Sequence, residues 1–150
     1  PGDAMLAMYA ADTLLASKQY KEAIAKLEAM LLKAPNNPVL LNNLAWAYQQ
    51  VKDPRALKTA ERALAGAGES PAILDTLGNI LAEQGDHKRG LGYLRSAVAK
   101  SPTDPNIRLH LAQALAKSGD KAAARKELEQ VMATKGFAQM EEARALQQTL

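Results

Sequence analysis

Apolar residues recur three and four positions apart along almost the whole chain, the spacing of one-sided helices. The pattern is clearest between Pro71 and Asp104. Leu74, Leu77, Gly78 and Leu81 share one face, and after Gly85-Asp86 a second face carries Gly90, Leu94, Ala97 and Val98. Ser70 is placed to accept backbone N–H bonds as an N-cap, and Pro71 suits the first helical turn. Gly85 can take the left-handed conformation that ends a helix, Asp86 can cap the next, and Pro102 stands just past its end. The spacing therefore predicts two helices folded back on each other. Gly78 and Gly90 leave no side chain between the two backbones, which allows the near end of the usual helix separation of about 8–10 Å.

The same register can be laid over the rest of the chain, at about 4–37, 38–70, 71–104 and 105–138. The first copy carries Ala7, Ala10, Ala11 and Leu14, then Ala23, Leu27, Met30 and Leu31, with Tyr20 at its turn. The second carries Leu41, Leu44, Ala45 and Tyr48, then Ala56, Ala60, Ala63 and Leu64. Its turn, Lys52-Asp53-Pro54-Arg55, is one residue short, which predicts a tighter turn, and its tail Gly66-Ala67-Gly68-Glu69 predicts a looser exit. The fourth carries Leu111, Ala112 and Leu115, then Ala124, Leu128, Val131 and Met132; Arg108 stands where the two preceding copies have Leu, so that face is expected to be partly solvated. A small pair returns each time: Ala11 with Ala23, Ala45 with Ala56, Gly78 with Gly90, Ala112 with Ala124. Over 139–150, Met140, Ala143, Leu146 and Leu150 form the apolar side of a short last helix, the polar-backed cap a stack of hairpins needs.

A helical hairpin of about 34 residues with small residues at its crossing resembles the tetratricopeptide repeat, TPR. The resemblance implies an all-α, right-handed α-solenoid of four TPR helix–turn–helix repeats plus a C-terminal capping helix, one domain over 1–150. It also implies that the first helices line a concave groove that binds protein or peptide, without catalysis. A narrower resemblance covers 38–150. The runs Leu41-Asn42-Asn43-Leu44-Ala45-Trp46, Lys52-Asp53-Pro54-Arg55-Ala56-Leu57, Leu74-Asp75-Thr76-Leu77-Gly78, Arg89-Gly90-Leu91, Ile107-Arg108-Leu109-His110-Leu111-Ala112 and Gly119-Asp120-Lys121 are similar to the C-terminal repeats of the PEP-CTERM-system TPR-repeat lipoproteins of bacteria. That resemblance implies the cell envelope, exopolysaccharide production and protein sorting. TPR cochaperones that grip a chaperone's C-terminal carboxylate use cations at groove positions; Met8, Asp12, Asn43, Ala72 and Thr76 supply none, which argues against that subclass.

The register places a polar stripe on the first helices: Tyr9 and Asp12; Asn42, Trp46 and Gln49; Asp75, Asn79 and Glu83; Asn106, His110, Gln113 and Lys117. Amide side chains can both donate to and accept from a peptide backbone. Taken singly, each stripe residue reads more simply as hydrated inner surface with no strong ligand. Trp46 is either a binding anchor or a stiffener packed across adjacent first helices. Asp75 and Glu83 could receive a basic partner. His87 and His110 have no second ligand at metal-binding spacing, so no metal or cofactor is expected.

Composition changes this picture little. The net charge of +3 is spread among mixed Lys, Arg, Asp and Glu, with no basic run of the kind nucleic acid requires. The chain has no Cys, so disulfides, thiolate metal sites and a cysteine nucleophile are excluded. No apolar run reaches the roughly 20 residues that span a bilayer, so no membrane insertion by this chain is expected. Ser17, Ser70, Ser96, Ser101 and Ser118 sit mainly at turns and helix ends and form no nucleophile–base–acid set. The start, Pro1-Gly2-Asp3, and the apolar Met5, Leu6, Met8 and Tyr9 predict a fragment of a longer array with an uncapped N-terminal end, through which a homodimer could form. The expected function is a non-enzymatic scaffold for a protein or peptide segment; the alternative is a spacer or oligomerisation module with an unused groove. The envelope or periplasm is expected from the resemblance, with the cytoplasm open.

Overall fold

The computed structural model describes residues 2–150. Among the described residues the chain is all helix and turn, with no strand. The helices are α1 (Gly2–Ala16), α2 (Tyr20–Lys33), α3 (Pro38–Gln50), α4 (Ala56–Ala67), α5 (Pro71–Glu83), α6 (His87–Lys100), α7 (Pro105–Lys117), α8 (Lys121–Met132) and α9 (Met140–Thr149). They fall into two compact units, one ending at Glu69 and one running Ser70–Leu150. In the first, α1 packs on α2, α2 on α3 and α3 on α4. In the second, α5 packs on α6, α6 and α5 both meet α7, α7 pairs with α8, and α9 covers α8.

The caps explain where the helices begin. Asn37 Oδ1 accepts from the N–H groups of Val39 and Leu40 at 3.0 and 3.2 Å, and Ser70 Oγ accepts from Ile73 at 3.2 Å. Asp86, Asp104 and Asp120 do the same for α6, α7 and α8. Gly85 and Gly119 turn the chain between paired helices at φ +89 and +91. The short turn after α3 is tightened by an Ala56 N–H bond to the Asp53 carbonyl, three residues back rather than four. Lys52 takes a left-handed φ of +57 there, and α4 starts only at Ala56.

The small pairs mark the closest crossings. Ala11, Ala23, Ala45, Ala112 and Ala124 are wholly buried. A Cβ on Gly78 would lie 2.9 Å from the Gly90 carbonyl oxygen, and one on Gly90 would lie 2.8 Å from the Gly78 carbonyl oxygen. From α3 onward most of the expected inward residues are buried, with Leu64, Val98 and Met132 half-covered, whereas in α1 only Ala11 is buried and Ala7, Ala10 and Leu14 are half-covered. One element departs from the one-sided pattern. Every residue from Ile73 to Ala82 in α5 is buried, because Ile73, Leu74, Leu77, Ile80 and Leu81 make the helix apolar nearly all round. At the other end α9 closes the core: Ala143 is buried with Leu109, Leu128 and Val131, and Leu146, Leu150 and Phe137 pack against them. Arg108 is only partly solvated, as its polar position requires; its guanidinium binds the Glu127 carboxylate at 2.5 Å and the Pro102 carbonyl at 2.8 Å.

Candidate functional site

In the second unit the first helices α5 and α7 pack on each other and bring four of the expected stripe residues into two rungs. Asp75 and His110 form one rung: Nδ1 of the ring donates to a carboxylate whose two oxygens are both at 2.9 Å. Both side chains are mostly buried, with 12% and 14% of their surface exposed. Glu83 and Lys117 form the second rung as an ion pair, about half exposed and so of small energetic weight, roughly 0–1 kcal/mol. Between them stand Asn79 and Gln113, 34 residues apart in the repeat register, as Glu83 and Lys117 are. Neither amide bonds a side chain or backbone group of any described residue. Asn79 is only 9% exposed, yet its amide is not sealed from solvent. Asn106, at the head of α7, is exposed.

The electrostatics of the first rung are uneven. Burial pushes the His110 pKa down, but the hydrogen bond and charge of Asp75, with the charges of Glu142 and Asp104, outweigh it and leave the value raised. The ring therefore lies in a net negative field, with Asp75 in direct contact.

The first unit presents a different arrangement. Tyr9 and Asp12 are exposed on α1, and Asp12 accepts from the Asn43 amide of α3 at 3.2 Å. Asn42, Trp46 and Gln49 are half-buried on α3. Asn42 Oδ1 and Gln49 Oε1 are buried acceptors without a hydrogen-bond partner, one turn either side of Trp46. A polar cluster that the periodicity did not announce lies nearby. The Tyr48 hydroxyl donates to Glu28 at 2.5 Å, and Arg55 donates to Glu28 at 3.0 Å and to both Asp53 oxygens. The guanidinium lies 4.3 Å from the centre of the Tyr48 ring. Burial first, then the Glu28 hydrogen bond, raises the Tyr48 pKa, while the hydrogen bonds from Arg55 lower that of Asp53. An inward tyrosine usually finds a partner for its hydroxyl, so Tyr48 was itself the signal that some polar group reaches it.

Repeated hairpins, small residues at each crossing and a polar stripe on the first helices describe one architecture, and comparison with known proteins decides it. The family profile described as Tetratricopeptide repeat matches residues 81–150. A thermophilic TPR protein of Thermus thermophilus superposes with a TM-score of 0.85 at 19% identity, covering 97% of this chain and 82% of that one. Residues 81–150 match the tetratricopeptide repeat family, and the chain as a whole has its solenoid fold. YrrB, described as a TPR protein with an unusual peptide-binding site, superposes on 97% of this chain and 74% of its own, with a TM-score of 0.70 and 18% identity. In sequence, the chain is 30% identical over 118 residues to cellulose synthase operon protein C of Komagataeibacter sucrofermentans. That alignment covers 73% of this chain and 8% of the relative, so the chain corresponds to a small part of it. TPR proteins are in general protein-interaction modules, and no described helix here is long and apolar enough to cross a membrane.

Proposed function

We propose that this chain is a non-catalytic scaffold that binds a segment of a partner protein along the stripe of α5 and α7. The observation that carries the proposal is the central pair of that stripe. Asn79 and Gln113 are amides left without partners between two ion-pair rungs, and each can donate to and accept from a peptide backbone. The fold likeness to YrrB, itself a peptide binder by description, supports the same reading. The cellulose synthase operon relative and the PEP-CTERM resemblance point to one setting: a bacterial envelope machine for exopolysaccharide production. The test is a pull-down from envelope and soluble fractions with the wild type and with Asn79→Ala. A partner retained by the wild type and lost by the variant, at unchanged helicity, is the expected result; equal retention by both sinks the proposal. Trp46→Ala is the parallel test for the first unit.

A second reading has its own observation. Met5, Leu6 and Tyr9 on α1 are 75%, 68% and 72% exposed, while Met8 is half-covered. The residues at Leu6's register position in α3 and α7, Leu40 and Ile107, are 3% and 5% exposed. We infer that α1 is a self-association face, in keeping with an oligomerisation module. Leu6→Lys is the sharper probe than Met8→Lys: light scattering should show a dimer that this change dissolves, and a wild type that stays monomeric at every concentration removes the idea.

A further inference from the structure

We propose that the stripe of the second unit selects a cationic segment, whose backbone pairs with Asn79 and Gln113 while its Lys or Arg side chain competes with His110 for Asp75. The inference rests on the peptide-binding reading above and adds the chemistry of the partner.

Three observations converge. The first is the imbalance at the upper rung. Asp75 from α5 contacts His110, and the charges of Glu142 from α9 and Asp104 at the cap of α7 also act on the ring. Arg108, the nearest cation along α7, is committed to Glu127 of α8 and to the Pro102 carbonyl. The second is that the stripe's own cation is already engaged: Lys117 on α7 pairs with Glu83, the acid two turns along α5 from Asp75. The third is Asn79. It lies four residues after Asp75, one helical turn of about 5.4 Å along α5, and is a residue only 9% exposed whose amide reaches solvent and has no partner among the described residues. A segment whose backbone pairs with this amide sets its neighbouring side chain against Asp75.

The competition has a direction. When His110 is protonated it neutralises Asp75, and an incoming cation meets a like charge. When the ring is neutral its Nδ1–H still donates to Asp75, but the charge is gone and the carboxylates attract the cation. Binding therefore strengthens as pH rises through the titration of His110, and a proton is released on binding.

The experiment is selection from a random library of displayed 12-residue peptides on the wild-type chain at pH 8, with counter-selection on Asn79→Ala. Enrichment of Lys- and Arg-bearing peptides is expected, with affinity about tenfold weaker at pH 5.5 than at pH 8. In His110→Gln the ratio of affinities at the two pH values should fall to about one, whatever the absolute affinity, and Asp75→Asn should remove the preference for cations. Circular dichroism of each variant reports whether it folds. Neutral or acidic peptides that require Asn79 overturn the cationic partner and leave the groove reading standing. Failure to enrich any peptide that distinguishes Asn79→Ala from wild type overturns both. Cationic peptides whose affinity ignores pH overturn the competition with His110.

Discussion

A Cβ is the smallest change a side chain can make, and Gly78 and Gly90 show what it costs at a helix crossing. A methyl on Gly90 would lie 2.8 Å from both the Ala82 nitrogen and the Gly78 carbonyl oxygen, backbone atoms that cannot rotate away. Alanine gains about 1 kcal/mol over glycine in a helix, while overpacking costs about 1–3 kcal/mol. The clash should win, and denaturant unfolding of Gly90→Ala should show a net loss of up to about 2 kcal/mol. Gly92, two residues on in α6, meets nothing within 4 Å, so Gly92→Ala should stabilise by about 0.5–1 kcal/mol in the same assay. His110 supplies a second prediction. Its pKa in the folded chain lies above the ordinary value of about 6.5, so its contribution is complete below that value and lost as pH rises through the folded pKa. The melting temperature should fall between pH 6 and pH 8.5, and His110→Gln should flatten that fall. The positions of the stripe residues were legible from register alone. That Asp75 would meet His110 was not, because repeat periodicity gives each residue a face but not its partner across two helices.

At the scale of the element, most boundaries could be read because they are set by single side chains at fixed places. Asn37, Ser70, Asp86, Asp104 and Asp120 each cap a helix. Asp104→Ala, which leaves two N–H groups of α7 unanswered, should cost about 1 kcal/mol in thermal or denaturant unfolding. The turn of the second repeat was anticipated only in part. The missing residue is absorbed by the Asp53–Ala56 bond, and Asp53 and Arg55 then join Glu28 and Tyr48. That outcome depends on a glutamate 27 residues from Arg55, beyond the reach of any local pattern. Burial of α5 on all sides was likewise hidden, since the stripe reading assigned Asp75 and Asn79 to an open surface.

At the scale of the molecule, the repeat alone made the fold legible: a 34-residue period, four small pairs and an apolar final segment leave few alternatives. The final segment also sets a limit on truncation. Removing residues 139–150 takes away Ala143, Leu146 and Leu150 and leaves Leu109, Leu128 and Val131 without their cover. The shortened chain should aggregate or lose helicity on heating well before the intact one, as light scattering and circular dichroism would record. Function was less legible than fold, because the unpaired state of Asn79 and Gln113 depends on what every neighbouring side chain has already found. The Gly–Gly crossing reaches further, into how such a chain can change over generations. Hairpins whose crossing residues are alanines can trade a helix with one another, since each brings the same width. A helix bearing glycine at the crossing loses its fit when joined to a partner built for alanine. Duplication and recombination should therefore pass α5 and α6 on together, as an indivisible cassette.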